Sequence, residues 1–237
     1  MNILRNRKYI TLVTNLILVF TVGVVAAVCF APHGAVPANG GAPYYNGNTA
    51  GDKVSLMFNV YEGEEIVEGI LDVLNEYGVK ATFFMGGCFA DDHEQLLKRI
   101  AEEGHEIGNH GYFHLDHAKI SKNKNLEEIE NTGKIITALC GVKPTLFAPP
   151  SGSFSSVTMQ AAESLGYTVV MWTKDTIDWR DADENLVFAR ATEGVKAGDL
   201  ILMHPKAHTL AVLGKVLDYY SREGLKQSTV SANIFGD

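Results

Sequence analysis

No acidic residue precedes Asp52 in this chain of 237 residues, although Asp and Glu together outnumber Lys and Arg by 28 to 20. The opening segment is therefore basic and apolar, and the rest is more acidic than the formal net charge of −8 suggests. Without Arg5, Arg7 and Lys8 it lies three charges lower, near −11. A surface of that sign argues against nucleic acid as a partner. Cysteine is scarce: Cys29 lies in the apolar segment, and Cys88 and Cys140 lie further on. At most one bridge between the last two can form in an oxidising compartment, and a pair of buried thiols is the other reading. The H-E-x-x-H pattern of zinc proteases is missing, because Gly111 follows His110 in the His110-Gly111-Tyr112-Phe113-His114 run. Internal repeats are absent. With 46% hydrophobic and 20% charged residues, the composition fits one globular domain with an appendage rather than a disordered chain.

The appendage is the N-terminus. Residues 1–8 form a basic n-region, and 9–31 run without a charge, long enough to cross a hydrocarbon core of roughly 30 Å as a helix. Positive flanks stay cytoplasmic, so the expectation is a single-pass anchor with the domain on the extracytoplasmic face. A cleaved signal peptide is the rival, supported by small residues at Ala26, Ala27, Ala31 and Ala35. A lipoprotein site at Cys29 is disfavoured by bulky Val28. Residues 32–52 are rich in Gly, Pro, Ala and Asn without hydrophobic period and read as a linker. Residues 53–237 read as the domain.

From Lys53 the texture becomes regular. Val54, Leu56, Phe58 and Val60 alternate with Ser55, Met57 and Asn59, a strand signal, and Ile66, Ile70, Leu71, Val73 and Leu74 follow at helical spacing before Gly78. Further strands are expected at 80–85, 106–109, 146–148, 168–173, 199–204 and 228–231. Helices are expected near 92–103, 126–139, 156–165, 184–195 and 208–223. Such alternation implies parallel β/α units closed or nearly closed around a barrel, with chemistry at the strand C-termini.

Polar residues gather at those positions. His110 and His114 are four apart, a spacing that brings both rings to one face of a helical turn and lets them share a metal ion. Alone, such a pattern reads as a polar loop. In order with KATFFMGG at 80–87, EIGNHGYFH at 106–114, FAPPSGSFS at 147–155, KDTIDW at 174–179 and LILMH at 200–204, it resembles the polysaccharide deacetylases of the NodB-homology type, carbohydrate esterase family four. The resemblance covers Lys53 to about Ser231. It implies a deformed (β/α) barrel and a bound divalent metal, zinc with cobalt or nickel as alternatives. It also implies hydrolysis of N-acetyl groups on a cell-wall amino-sugar glycan. By resemblance His110 and His114 are metal ligands, His204 is the general acid supported by Asp178, and Trp179 and Leu202, joined by Tyr61, receive the acetyl methyl group. His117 falls where the family has an apolar residue and is expected behind the ligands or at the surface.

Two motifs depart from the family pattern. In place of T-F-D-D-G the chain has MFNVYEGEE at 57–65. Aligned on the phenylalanine, the base aspartate becomes Asn59 and the metal-binding aspartate Val60. Aligned on the glycine, Glu62 takes the ligand position and Tyr61 that of the base. The stretched loop is similar to that of sporulation-type deacetylases. In place of R-P-P-Y-G stands Ala148-Pro149-Pro150-Ser151-Gly152, so the arginine that would hold the base aspartate is gone. These losses belong together, since a desolvated guanidinium beside a neutral amide would lack a partner. Glu62 as ligand and Glu65 as base are the expected substitutes, which leaves two functions open: a weak or atypical amidohydrolase, or a catalytically silent glycan-binding or scaffold domain at the cell envelope.

The N-terminal reading carries its own prediction. Cell fractionation is expected to find the uncleaved chain in the membrane, and a soluble mature form beginning near Pro32 or later would show a signal peptide instead.

Overall fold

Eight residues, β1 (Lys53–Val60), form the strand on which the others are built, and seven of the eight are buried. The computed structural model describes residues 41–236. Along β1 the pleat separates two apolar layers. Val54, Leu56, Phe58 and Val60 face one way, into the larger core with α1 (Glu64–Glu76) and α7 (Ala207–Arg222), and Met57 faces the other, with Phe84, Leu200 and Leu202. Period-two alternation in a strand buried on both faces thus sorts side chains between an outer helix layer and an inner core.

The remaining strands are β2 (Thr82–Met85), β3 (Glu106–Asn109), β4 (Leu146–Phe147), β5 (Thr168–Val169), β6 (Lys174–Asp175), β7 (Leu200–Met203) and β8 (Lys226–Gln227). Their spatial order is β5-β4-β3-β2-β1-β7-β6, with β8 paired to β1, and every pairing is parallel. This is a parallel-strand half-barrel in an α/β fold; among the described residues no ladder joins β5 to β6. The other helices are α2 (Gly87–Asp92), α3 (Glu94–Glu102), α4 (Lys122–Cys140), α5 (Ser156–Ser164), α6 (Glu184–Thr192) and α8 (Val230–Phe235). Helix α4 starts on Ser121, whose hydroxyl accepts from the Lys124 amide, and α5 opens with a capping box between Ser155 and Thr158.

Several local expectations change. The apolar run at 168–173 is strand for only two residues, and the strand expected at 228–231 is instead the cap and first turn of α8, where the Thr229 hydroxyl accepts from the Ala232 amide. That β-branched stretch carries an N-cap, and the cap decides. Helix α2 and strand β6 had no periodic signal, being too short to show one. The segment read as a linker is not a free spacer over its described part. Tyr44 forms a bridge with Val170, its N–H donating to Val169 O (2.9 Å) and its carbonyl accepting from Met171 N (2.7 Å). The amides of Gly47 and Asn48 donate to Gly198 O and Asn233 O. An open sheet edge needs partners for its backbone groups, and this segment supplies them to β5. The apolar span at 9–31 lies outside the described residues. Among those described, no helix is long and apolar enough to cross a membrane. Cys88 and Cys140 are both free thiols, so the bridge does not form.

His105, just before β3, is buried edge-on against the Phe83 ring (5.3 Å), and its Nδ1 accepts the Ala81 amide (3.2 Å). Burial, helped by the nearby Lys80 charge, pushes this imidazole down to about 4. Its folded value lies below the unfolded one, so the unfolded chain binds the extra proton first, and stability falls as pH drops from about 6.5 towards 4. Denaturant titrations across that window are expected to lose up to about 3 kcal/mol through this group, and His105→Gln to flatten the slope. An unchanged slope in the variant would assign the acid sensitivity elsewhere.

Candidate active site

Because all strands run parallel, their C-terminal ends share one rim, and the side chains singled out above lie at the ends of the strands, on the loops that leave them or, for Glu65, in the helix turn that follows. His110 follows β3 directly. Its Nδ1 lies 2.7 Å from the Ala148 carbonyl, which can only accept, so the proton is on Nδ1 and the Nε2 lone pair is left buried without a hydrogen-bond partner. Burial first, then the neighbouring His114, pushes His110 down to about 3. The two rings stand 5.1 Å apart by centroid. They do not meet through a helical turn, however. Residues 110–114 are an irregular loop in which Gly111 has φ +72° and His114 φ +55°, and the loop bends the two rings together in place of i,i+4 geometry. A Cβ at Gly111 would lie 2.9 Å from His117 Nε2, so glycine is required there. Burial also lowers the His114 value.

This loop is held from behind by one face of α4. Glu128, buried, accepts the amides of Tyr112 (2.9 Å) and Phe113 (2.8 Å), and Asn125 Oδ1 lies 2.7 Å from His117 Nδ1. His117 is thus a buried prop behind the loop rather than a rim residue. Sequence reasoning missed Glu128 and Asn125. The available signal was polar residues, Asn125, Glu128 and Thr132, recurring at helical spacing beside Ile129 and Ile136 on the face that should be apolar.

The opposite side of the rim is a carboxylate-imidazole pair. Asp178 accepts His204 Nδ1–H on Oδ1 (2.7 Å), and the His204 amide (2.7 Å) and the Thr209 hydroxyl (2.6 Å) on Oδ2. His208 Nε2 donates to the Asp178 carbonyl (2.8 Å). Burial raises the carboxyl, but the hydrogen bonds of His204 and Thr209 and the charge of His204 outweigh it and hold it below its ordinary value. The pair fixes the ring so that Nε2 is the free nitrogen, as a proton donor needs. Thr209 and His208 had no signal in the sequence, since their role depends on how the start of α7 packs on the Asp178 loop.

The first-motif residues are dispersed. Asn59 is buried at the end of β1, its Oδ1 without a hydrogen-bond partner, and Val60 is wholly buried in the outer core. Ala148 is buried in the inner core. Tyr61 is exposed and lies against His114, the rings tilted by 35° with centroids 4.1 Å apart. Glu62 is paired with Lys206, and Glu65 is exposed in the first turn of α1, where the helix dipole favours it. Leu202 is buried beside Met57 and Ala148, whereas Trp179 is 54% exposed with the Arg180 guanidinium 5.8 Å over its ring. Two imidazole nitrogens suit a divalent ion, but among the described residues no three His, Cys, Asp or Glu converge. The donor set therefore does not complete the metal site that the resemblance implied.

A parallel half-barrel with a histidine loop after one strand and an Asp-His pair after another defines the class of α/β scaffold to which the comparisons with known proteins point. The polysaccharide deacetylase profile matches residues 46–170, and the chain belongs to that family, whose members are hydrolases acting on carbon-nitrogen bonds. It is 38% identical over 189 residues to the uncharacterized protein YlxY of Bacillus subtilis, covering 80% of this chain and 59% of that one. It is 33% identical to a peptidoglycan-N-acetylglucosamine deacetylase of Bacillus cereus, covering 68% of this chain and 78% of the relative. Among solved structures, BA3943 of Bacillus anthracis, described as a pseudoenzyme of carbohydrate esterase family four, superposes with a TM-score of 0.80 at 31% identity. The match covers 83% of this chain and 70% of that one. A mutant of it described as having restored enzymatic activity superposes equally well, at 29% identity.

Removing the Asp178 carboxylate strands three donors. Asp178→Ala is expected to cost about 2–5 kcal/mol in urea denaturation, and a loss under about 1 kcal/mol would show that water replaces the carboxylate.

Proposed function

We propose that this chain acts on cell-wall amino-sugar glycan at the extracytoplasmic face of the membrane, with glycan binding as its principal activity and de-N-acetylation weak at most. The observation that carries the reading is Asn59, a buried amide with an unpartnered Oδ1, at the position aligned with the family's base aspartate. An amide cannot take a proton from water, and loss of a positioned base costs about 10²–10⁴ in rate. The substitutes expected from the sequence fit the task poorly: Glu62 is engaged by Lys206, and Glu65 points from an exposed helix turn. Tyr61, Phe113 and Trp179 are exposed on three loops leaving the rim, a distribution that supports contact with sugar rings. The glycan class is supported by the deacetylase relative named above, and the silent reading by the description of BA3943 as a pseudoenzyme.

A weak amidohydrolase remains the second reading, favoured by the intact Asp178-His204 pair. Acetate release from an N-acetylglucosamine oligomer, with zinc, cobalt or nickel supplied, separates the two. The wild type is expected to be retained on insoluble peptidoglycan yet to release acetate at least about 10²-fold more slowly than an Asn59→Asp variant. A wild-type rate equal to that of the variant would reject the proposal and point to Glu62 or Glu65 as a working base.

A further inference from the structure

The loops after β1 and β7 touch at a point that neither motif accounts for. Gly63, with φ +83°, lies so close to the second loop that a Cβ there would sit 2.9 Å from the Pro205 carbonyl. Next to this contact Lys206 Nζ donates to Glu62 Oε1. The two side chains differ in freedom, Glu62 being 50% exposed and Lys206 29%. Glu62 follows Tyr61, whose ring lies against His114 with centroids 4.1 Å apart, so its carboxylate leaves the backbone beside the histidine loop. That carboxylate is nonetheless already paired with a cation of the chain itself, while Val60 is turned into the outer core.

We infer that Lys206 is an internal counter-cation that holds Glu62 away from the His110-His114 pair, so that a divalent ion at this rim competes with an ammonium group for one carboxylate. Two neutral imidazoles alone make a weak zinc site, because a third protein donor is needed to close it. Glu62 can serve as that donor only by giving up the ion pair. The contact at Gly63 keeps the competition local, since it fixes the approach of the two loops whichever partner Glu62 takes. The inference rests on the reading of His110 and His114 as nitrogen donors.

Calorimetric titration of the full chain with zinc alone tests it. Lys206→Met keeps the apolar stem and removes the charge. It is expected to bind zinc about threefold to tenfold more tightly than the wild type, the range set by the strength of a half-exposed ion pair. Adding Glu62→Gln to that variant should return the affinity to the wild-type level. Glu62→Gln alone should move it by less than about twofold, because a carboxylate tied to Lys206 contributes little. No tightening in a folded Lys206→Met, or a clear loss of affinity in Glu62→Gln alone, overturns the inference. The second result stands even if Lys206→Met fails to fold. A His110→Ala, His114→Ala double variant separates this from failure of the underlying reading. Zinc binding that survives both alanines places the ion elsewhere and overturns both, whereas binding lost with the histidines but indifferent to Lys206 overturns only the role of Lys206.

Discussion

Strand β1 is paired along both edges and buried on both faces, and nearly everything else about the molecule follows from that constraint. A strand with no solvent face cannot slip by one residue without exchanging its two apolar layers, so its register is held by Phe58 stacked on Phe83 (5.2 Å) on one side and Met57 among Leu200 and Leu202 on the other. Parallel pairing to β2 and β7 then carries the loops after β1, β2 and β7 to the same rim. The same pleat decides the fate of the first motif. Asn59 shares the inward parity of Met57, and Val60 shares the outward parity of Phe58 and is lost to the helix layer.

The rim has two halves in different states of completeness. On one side a buried carboxylate has every partner it needs, and burial that would otherwise raise Asp178 is overcome by three directed donors. On the other, two histidines are positioned with care by α4 and Ala148, with strained backbone at His114, yet no third donor joins them among the described residues. Buried polar groups are costly to leave unpaired. Unpartnered nitrogen at His110 and an unpartnered amide oxygen at Asn59 place that cost on the histidine side of the rim.

Much of this was legible from residue order. Alternation in 53–60, the helical spacing of 66–74, and the placement of five polar motifs after apolar runs are local properties, written in periods of 2.0 and 3.6 residues, and the parallel α/β class and shared rim follow from them. The Asp178-His204 partnership was legible through the resemblance, and the geometry agrees with it. The residues that prop the site, Glu128, Asn125 and Thr209, were not read, because each serves a loop distant in sequence and its meaning appears only when helix and loop are packed.

What sequence by itself determined was the periodic skeleton, the excess of negative charge beyond the first eight residues, and the absence of aspartate from the first motif and of arginine from the third. Tertiary structure alone decided that the expected donor Glu62 meets Lys206, that the histidine pair is joined by a bent loop rather than a helical turn, and that residues 44–48 pack on the domain instead of spacing it. The physical reason is the same in each case. A side chain's partner, unlike its period, is set by whichever loop the fold brings within hydrogen-bonding distance, and for Glu62 and Lys206 that loop lies 144 residues away along the chain.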